Sequence, residues 1–255
     1  MFTVLFTSIG RRVELVQAFK DSYLKHDIFA RILGADSNPK LAPAGHFADA
    51  IFQIPRVNET GYLNALLQIC RKERVKLLIP LYEPEFTILD RNRNQFMKQG
   101  TALLLSLTEP LKICADKLET YRFFTDRGIN TPKTLSVKDK LGSDKFPLFV
   151  KPRSGMGSAG VYKVTSQSEL DFLANRTPDL IVQEYIAGTE YTLDTLSDLN
   201  GKALSVVPRE RLEVRSGEVV KSRTVDRPDL INQGKHIVEP LGIIGPATLQ
   251  CIDDG

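Results

Sequence analysis

The feature that most constrains this chain is the segment FPLFVKPRSGMGSAG, residues 146–160. Its first half is apolar (Phe146, Leu148, Phe149, Val150) and reads as a buried strand ending in Lys151. A loop of small residues runs from Ser154 through Gly155, Met156, Gly157 and Ser158 to Gly160, and residues 161–164 are again strand-like. Strand, lysine, pliable loop and strand make a unit that can lay backbone N–H groups over a polyphosphate. Glycine allows close approach and positive φ, and the lysine adds a point charge. The alternative is an ordinary glycine-rich surface hairpin.

Two better-known phosphate cradles do not fit. A Walker A loop ends in Gly-Lys-Ser/Thr and opens a helix, whereas here the lysine precedes the loop and GVYKV after it is extended. A dinucleotide fingerprint also opens a helix. A second stretch, IVQEYIAGTEYTLD at 181–194, strengthens the nucleotide reading. Gln183 and Glu184 follow an apolar strand, and the backbone at Glu184, Tyr185 and Ile186 offers an edge for adenine. Glu190 is placed to accept hydrogen bonds from ribose hydroxyls.

Together these stretches resemble the ATP-grasp superfamily, most closely its carbamoyl-phosphate synthetase large-chain branch. The resemblance is carried by Asp116 and Lys117, by FVKPRSGMGSAG, by VQEYIAGTEYTLD and by VPRER at 207–211. It implies an α/β and α+β protein: a Rossmann-like pre-ATP-grasp domain at 1–110, then an ATP-grasp domain at 111–255. The latter comprises a lid subdomain at about 115–185 and an incomplete antiparallel subdomain at 186–255. The resemblance also makes Lys117 a phosphate ligand, where the residue alone reads as a surface lysine. It sets Arg209 and Arg211, two apart on one strand face, against a transferred phosphoryl group. Without it, the two arginines equally suit ion pairs with Glu213 or Glu218.

Composition bounds the partners. The 255 residues are 42% hydrophobic and 25% charged, with a net charge of +3, too small for a dedicated nucleic-acid surface. Cys70, Cys114 and Cys251 have neither metal nor disulfide spacing, so a cytoplasmic setting is expected. No apolar run is long enough to cross a membrane, and MFTVLFTSIGRR reads as a first strand rather than a leader.

From the N-terminus, strand and helix alternate. Strands are expected at 2–9, 30–35, 50–54, 75–81 and 101–107, with helices at 12–24, 62–73 and 84–99, the second capped by Thr60. This is a parallel sheet whose ligands belong beyond the carboxyl ends of its strands, among Ser8, Arg11, Asp36, Glu83 and Glu85. The first turn, TSIGRR, has one glycine where a dinucleotide fingerprint needs three. After Pro110 come a helix at 117–128 with Asp116 as its N-cap, strands, and a helix at 168–174. Antiparallel strands follow at 191–197, 203–210 and 219–224, then a helix at 230–241 and a strand at 247–252.

The resemblance implies ATP and Mg2+ as cofactors, Gln250 as one metal position, and later metal ligands that this sequence does not contain. A cut before the metal site is finished is therefore expected. The implied activity is a carbon–nitrogen ligase joining a carboxylate to an amine through an acyl phosphate. A non-catalytic nucleotide-binding subunit completed by a partner is the alternative, and a homodimer is a candidate assembly.

Overall fold

The computed structural model describes residues 1–139, 146–155, 160–215 and 218–255. The chain divides into two compact units, Met1–Leu105 and Ser106–Gly255.

In the first unit, β1 (Phe2–Thr7), α1 (Val13–Lys25), β2 (Ala30–Asp36), β3 (Ala50–Gln53), α2 (Tyr62–Lys72), β4 (Leu77–Pro80), α3 (Phe86–Arg91), α4 (Arg93–Lys98) and β5 (Ala102–Leu103) follow in order. The sheet order is β3-β2-β1-β4-β5, with every pairing parallel. Val4, Leu5 and Phe6 are consecutive and fully buried, which places β1 at the centre of a sheet covered on both faces.

Local chemistry explains the departures from the sequence reading. Two short 3-10 turns, not a helix, join β2 to β3. The expected helix over 84–99 breaks at Asn92, whose side-chain amide donates to the Ile88 carbonyl oxygen at 2.7 Å and competes with the helical ladder. The cap of α2 is Gly61, at φ +94°, rather than Thr60; that left-handed conformation suits glycine. The fifth strand shrinks to two residues, because Arg93 takes the Leu105 carbonyl oxygen at 3.2 Å as the chain leaves the sheet edge.

The second unit begins with α5 (Thr108–Ala115), α6 (Lys117–Asp126), β6 (Thr134–Ser136), β7 (Leu148–Pro152), β8 (Tyr162–Val164), α7 (Gln167–Arg176) and β9 (Leu180–Glu184). These strands form an antiparallel sheet in the order β6-β9-β7-β8. Leu148, Val150, Val164, Leu170, Leu180 and Val182 make its core. A second antiparallel sheet, β12-β11-β10-β13, is built from β10 (Thr189–Ser197), β11 (Ala203–Arg215), β12 (Glu218–Thr224) and β13 (Gly245–Asp253), with α8 (Pro228–Leu241) between the last two. Tyr191, Leu193 and Val206 pack with Leu230 of α8 on one face. Alternation then places Glu190, Thr192, Asp194, Arg209 and Arg211 on the other face. Between β9 and β10, the chain passes so close to the end of β13 that a β-carbon on Gly188 would sit inside the radius of the Asp253 carbonyl oxygen.

Candidate nucleotide site

The site is organised from Asp116. Its backbone is extended, and its carboxylate accepts from the N–H groups of Leu118 at 2.9 Å and Glu119 at 3.3 Å, capping α6. The same carboxylate holds Arg153, just past β7, through Nε at 2.8 and 2.9 Å and Nη2 at 2.6 Å. The Arg153 guanidinium and the two backbone N–H groups hold the Asp116 carboxyl below the usual range. A Lys117 N–H bond to the Arg153 carbonyl oxygen completes the join. The start of α6 is thus fixed to the strand end from which the glycine loop departs.

Two lysines meet at this join. Lys117 Nζ donates to the Gly155 carbonyl oxygen at 2.9 Å and to that of Arg153 at 3.5 Å. Lys151 Nζ donates to Gln183 Oε1 at 2.8 Å, and Gln183 Nε2 donates to Thr134 Oγ1 at 2.8 Å. Burial, and after it the Lys117 charge, lower Lys151 to about 8. No carboxylate ion pair with Lys151 occurs among the described residues. A half-buried cation pushed down by another cation is a site that an anion would relieve.

The remaining expected residues fall as follows. Ser154, Gly155 and Gly160 flank the loop, with Gly155 at φ +103° and Gly160 at φ +71°. Met156, Gly157 and Ser158 lie outside the described residues. The Glu184 N–H is taken by the Lys133 carbonyl oxygen at 2.9 Å, so that donor is already committed. Tyr185 and Ile186 enter no backbone hydrogen bond among the described residues, and Lys163 Nζ lies 3.8 Å from the Tyr185 ring centroid.

On the second sheet, Arg209 pairs with Asp194 at 2.5 Å and donates to Ser222 at 3.0 Å. Arg211 Nε lies 3.0 Å from Glu190 Oε2 but without hydrogen-bond alignment, although the Arg211 side chain is only 8% exposed. The arginines therefore pair with Asp194 and Glu190 of β10, while Glu213 is engaged by Arg215 and Lys221. A buried guanidinium nitrogen without a hydrogen-bond partner fits an anionic or hydroxyl-bearing ligand.

Sequence reasoning missed Asp194, Thr134 and Arg153. The spacing Asp194–Arg209 had no local signal, because the register of β10 against β11 decides it. Gln250 lies opposite Thr192 on β13 and is exposed. It offers one neutral oxygen, and no group of three or more potential metal-ligating side chains occurs among the described residues. Magnesium sites of this kind use one or two carboxylates beside substrate phosphates. Asp194 and Glu190 are engaged by arginines, so the described residues do not assemble a metal site.

A parallel α/β unit, a lysine-anchored glycine loop on one antiparallel sheet and an arginine-bearing face on another define a two-unit protein suited to a polyphosphate ligand. The chain belongs to the ATP-grasp family: residues 114–250 match the ATP-grasp domain, and residues 4–104 match the PylC-like N-terminal domain. It is similar to 3-methyl-D-ornithine–L-lysine ligase of Methanosarcina barkeri, 25% identical over 183 residues, covering 72% of this chain and 46% of the relative. It is also similar to D-alanine–D-alanine ligase of Marinomonas sp., 29% identical over 106 residues, covering 38% of this chain and 33% of the relative. The chain thus spans less than half the length of these curated relatives. Among solved structures, N5-carboxyaminoimidazole synthetase of Staphylococcus aureus, complexed with ADP, superimposes with TM-score 0.74 at 18% identity, covering 99% of this chain and 67% of that one. The L-amino acid ligase of Bacillus licheniformis gives TM-score 0.72 at 17% identity, covering 100% and 64%. These likenesses establish the fold. No described helix is long and apolar enough to cross a membrane.

Proposed function

We propose that this chain carries the nucleotide site of an ATP-dependent carboxylate–amine ligase. Its finer form is a carbamoyl-phosphate synthase-like enzyme that works through an acyl phosphate. The observation that carries the reading is the Lys117–Lys151 pair, two cations at the root of a glycine loop with burial opposing the charge of one. ATP, when bound, supplies the phosphoryl group that activates a carboxylate or bicarbonate toward an amine. Lys117 and Lys151 offset the charge of its phosphates. The free backbone groups of Tyr185 and Ile186 take the adenine edge, and Glu190 takes the ribose hydroxyls. Arg209 and Arg211 present guanidinium groups to the charge that develops during transfer.

The test is a thermal-shift and calorimetric comparison of ATP, ADP and NADH on the wild type and Lys151→Ala. ATP and ADP should stabilise the wild type, the variant should lose that shift, and NADH should give none. Stabilisation by NADH alone, or unchanged ATP affinity in Lys151→Ala, overturns the assignment. Release of ADP that requires both a carboxylate and an amine then separates a ligase from a non-catalytic subunit.

A further inference from the structure

Every strand pairing in the first unit is parallel, so the amino ends of its strands and the carboxyl ends of its returning helices gather at one end of the sheet. Three backbone bonds knit that end together. The Phe2 N–H donates to the Phe29 carbonyl oxygen at 3.0 Å, the Lys76 N–H to that of Thr3 at 2.8 Å, and the Ala102 N–H to that of Lys76 at 2.9 Å.

Two kinds of exposed side chain stand side by side here. Phe2 opens β1, Ile28 and Phe29 lead into β2, and Leu24 lies in the last turn of α1. All four are exposed, Leu24 and Phe29 by 78% and 77%. The Ile28 N–H donates to the Tyr23 carbonyl oxygen at 2.8 Å, which folds residues 24–28 tightly and keeps these apolar groups together. Beside them are five exposed cations: Lys25, Lys72 and Lys98 at the ends of α1, α2 and α4, and Arg74 and Lys76 at the entry to β4. None of the five enters an ion pair among the described residues. Of the carboxylates nearby, Glu73 holds Arg31 at 2.7 Å and Asp49 holds Lys20 at 3.2 Å, which leaves Asp27 to oppose them.

A lysine at a helix C-terminus complements the helix dipole, which accounts for Lys25, Lys72 and Lys98 taken singly. It does not account for Arg74 and Lys76, nor for the apolar groups next to them. A lone exposed apolar side chain is ordinary, whereas four on adjoining segments form a patch. The charge makes the occupant anionic. A second copy related by a two-fold axis would set these cations against their own kind. Because the groups come from separate elements that end on the same side of the sheet, a broad anionic surface meets all of them at once, with apolar tips entering it.

We propose that this end of the first unit binds the surface of an anionic phospholipid membrane. The cations face the headgroups, and Leu24 and Phe29 enter the headgroup layer. The proposal does not depend on the nucleotide site.

The test is flotation of the chain with phosphatidylcholine vesicles, with and without about 30% phosphatidylserine. The chain should float with the anionic vesicles and not with the neutral ones, and added salt should release it. The double variant Lys72→Glu/Lys76→Glu should lower partitioning about tenfold or more, and Leu24→Ser/Phe29→Ser should lower it without abolishing the salt dependence. All of these positions are exposed, so the variants should melt as the wild type does. No flotation, or wild-type flotation by the charge-reversed variant, overturns the proposal. Full binding by Leu24→Ser/Phe29→Ser also overturns it, because attraction to any polyanion would then suffice. Binding to soluble polyglutamate without flotation makes the partner an acidic protein instead and equally overturns it.

Discussion

The Lys151 ammonium donates to Gln183 Oε1 at 2.8 Å, and the direction of that bond is set one residue further away. The buried Thr134 hydroxyl donates to the Pro132 carbonyl oxygen at 2.8 Å, so it can only accept from Gln183 Nε2. The amide is thereby oriented with its oxygen toward the lysine. Gln183→Leu should weaken ATP binding by about 1.5–3 kcal/mol, the scale of one hydrogen bond to a charged group. Thr134→Val should do the same to a smaller extent, because the amide could then flip. Calorimetric titration of both variants with ATP checks this; unchanged affinity in Gln183→Leu would show that Lys151 needs no such support.

The lowered Lys151 also predicts a pH signature. In the nucleotide-free fold burial, and after it the Lys117 charge, bring it down to about 8 from the 10.5 of a free lysine, so the unfolded chain binds more protons between those values. This group's destabilising contribution is fully present below pH 8 and disappears as pH rises toward 10.5. Bound phosphates act in the opposite direction and raise the lysine, so nucleotide binding near pH 8–9 should take up a proton. Affinity should decline as pH rises above 8. Titrations at about pH 8–9 in buffers of different ionisation enthalpy measure the uptake, and a heat that does not change with the buffer would contradict it.

Asp116 serves both a helix end and a strand end. Asp116→Ala should cost about 1 kcal/mol for the cap alone and more for the abandoned Arg153. Asp116→Asn keeps a capping oxygen and should fall between the two. Because this carboxyl is held low in the fold, its contribution is present above the unfolded carboxylate pKa and is lost as pH falls through the folded value. Urea unfolding at neutral and acidic pH should show the gap between wild type and Asp116→Ala narrowing in acid.

Arg209 and Asp194 form a part-exposed pair, with side-chain exposures of 29% and 42%. Their coupling in a double-mutant cycle should stay below about 1 kcal/mol, because solvent screens such pairs. A phosphoryl-transfer role predicts that Arg209→Ala removes ADP formation while nearly preserving stability. A large stability loss with activity retained would make the pair structural.

The parallel sheet was legible because Val4, Leu5 and Phe6 form an unbroken apolar run, and apolar runs of that kind report two-sided burial. Asp116 was legible as a helix cap for a similar reason, since capping chemistry is local. What the sequence withheld depends on register or competition. Asn92 breaks a helix by capturing a carbonyl, and Gly61 takes the cap from Thr60 through its left-handed backbone. Gln183 turns toward Lys151 only because two antiparallel strands bring positions 149–151 and 181–183 together. Asp36 was expected among the crevice residues beyond the strand ends, but its commitment to the Gly10 and Asn38 N–H groups depends on how the first turn folds against β2.

At Gly188 the connection between the two sheets of the second unit is pressed against the carbonyl of Asp253. Any residue with a larger side chain there must push apart the strand leaving for Glu190 and the last two residues of β13. The segment that carries Ile186 on one side and Glu190 on the other therefore inherits its placement from a main-chain contact. On the nucleotide reading, the proposed adenine and ribose contacts lie on either flank of a pivot that leaves no room for a side chain.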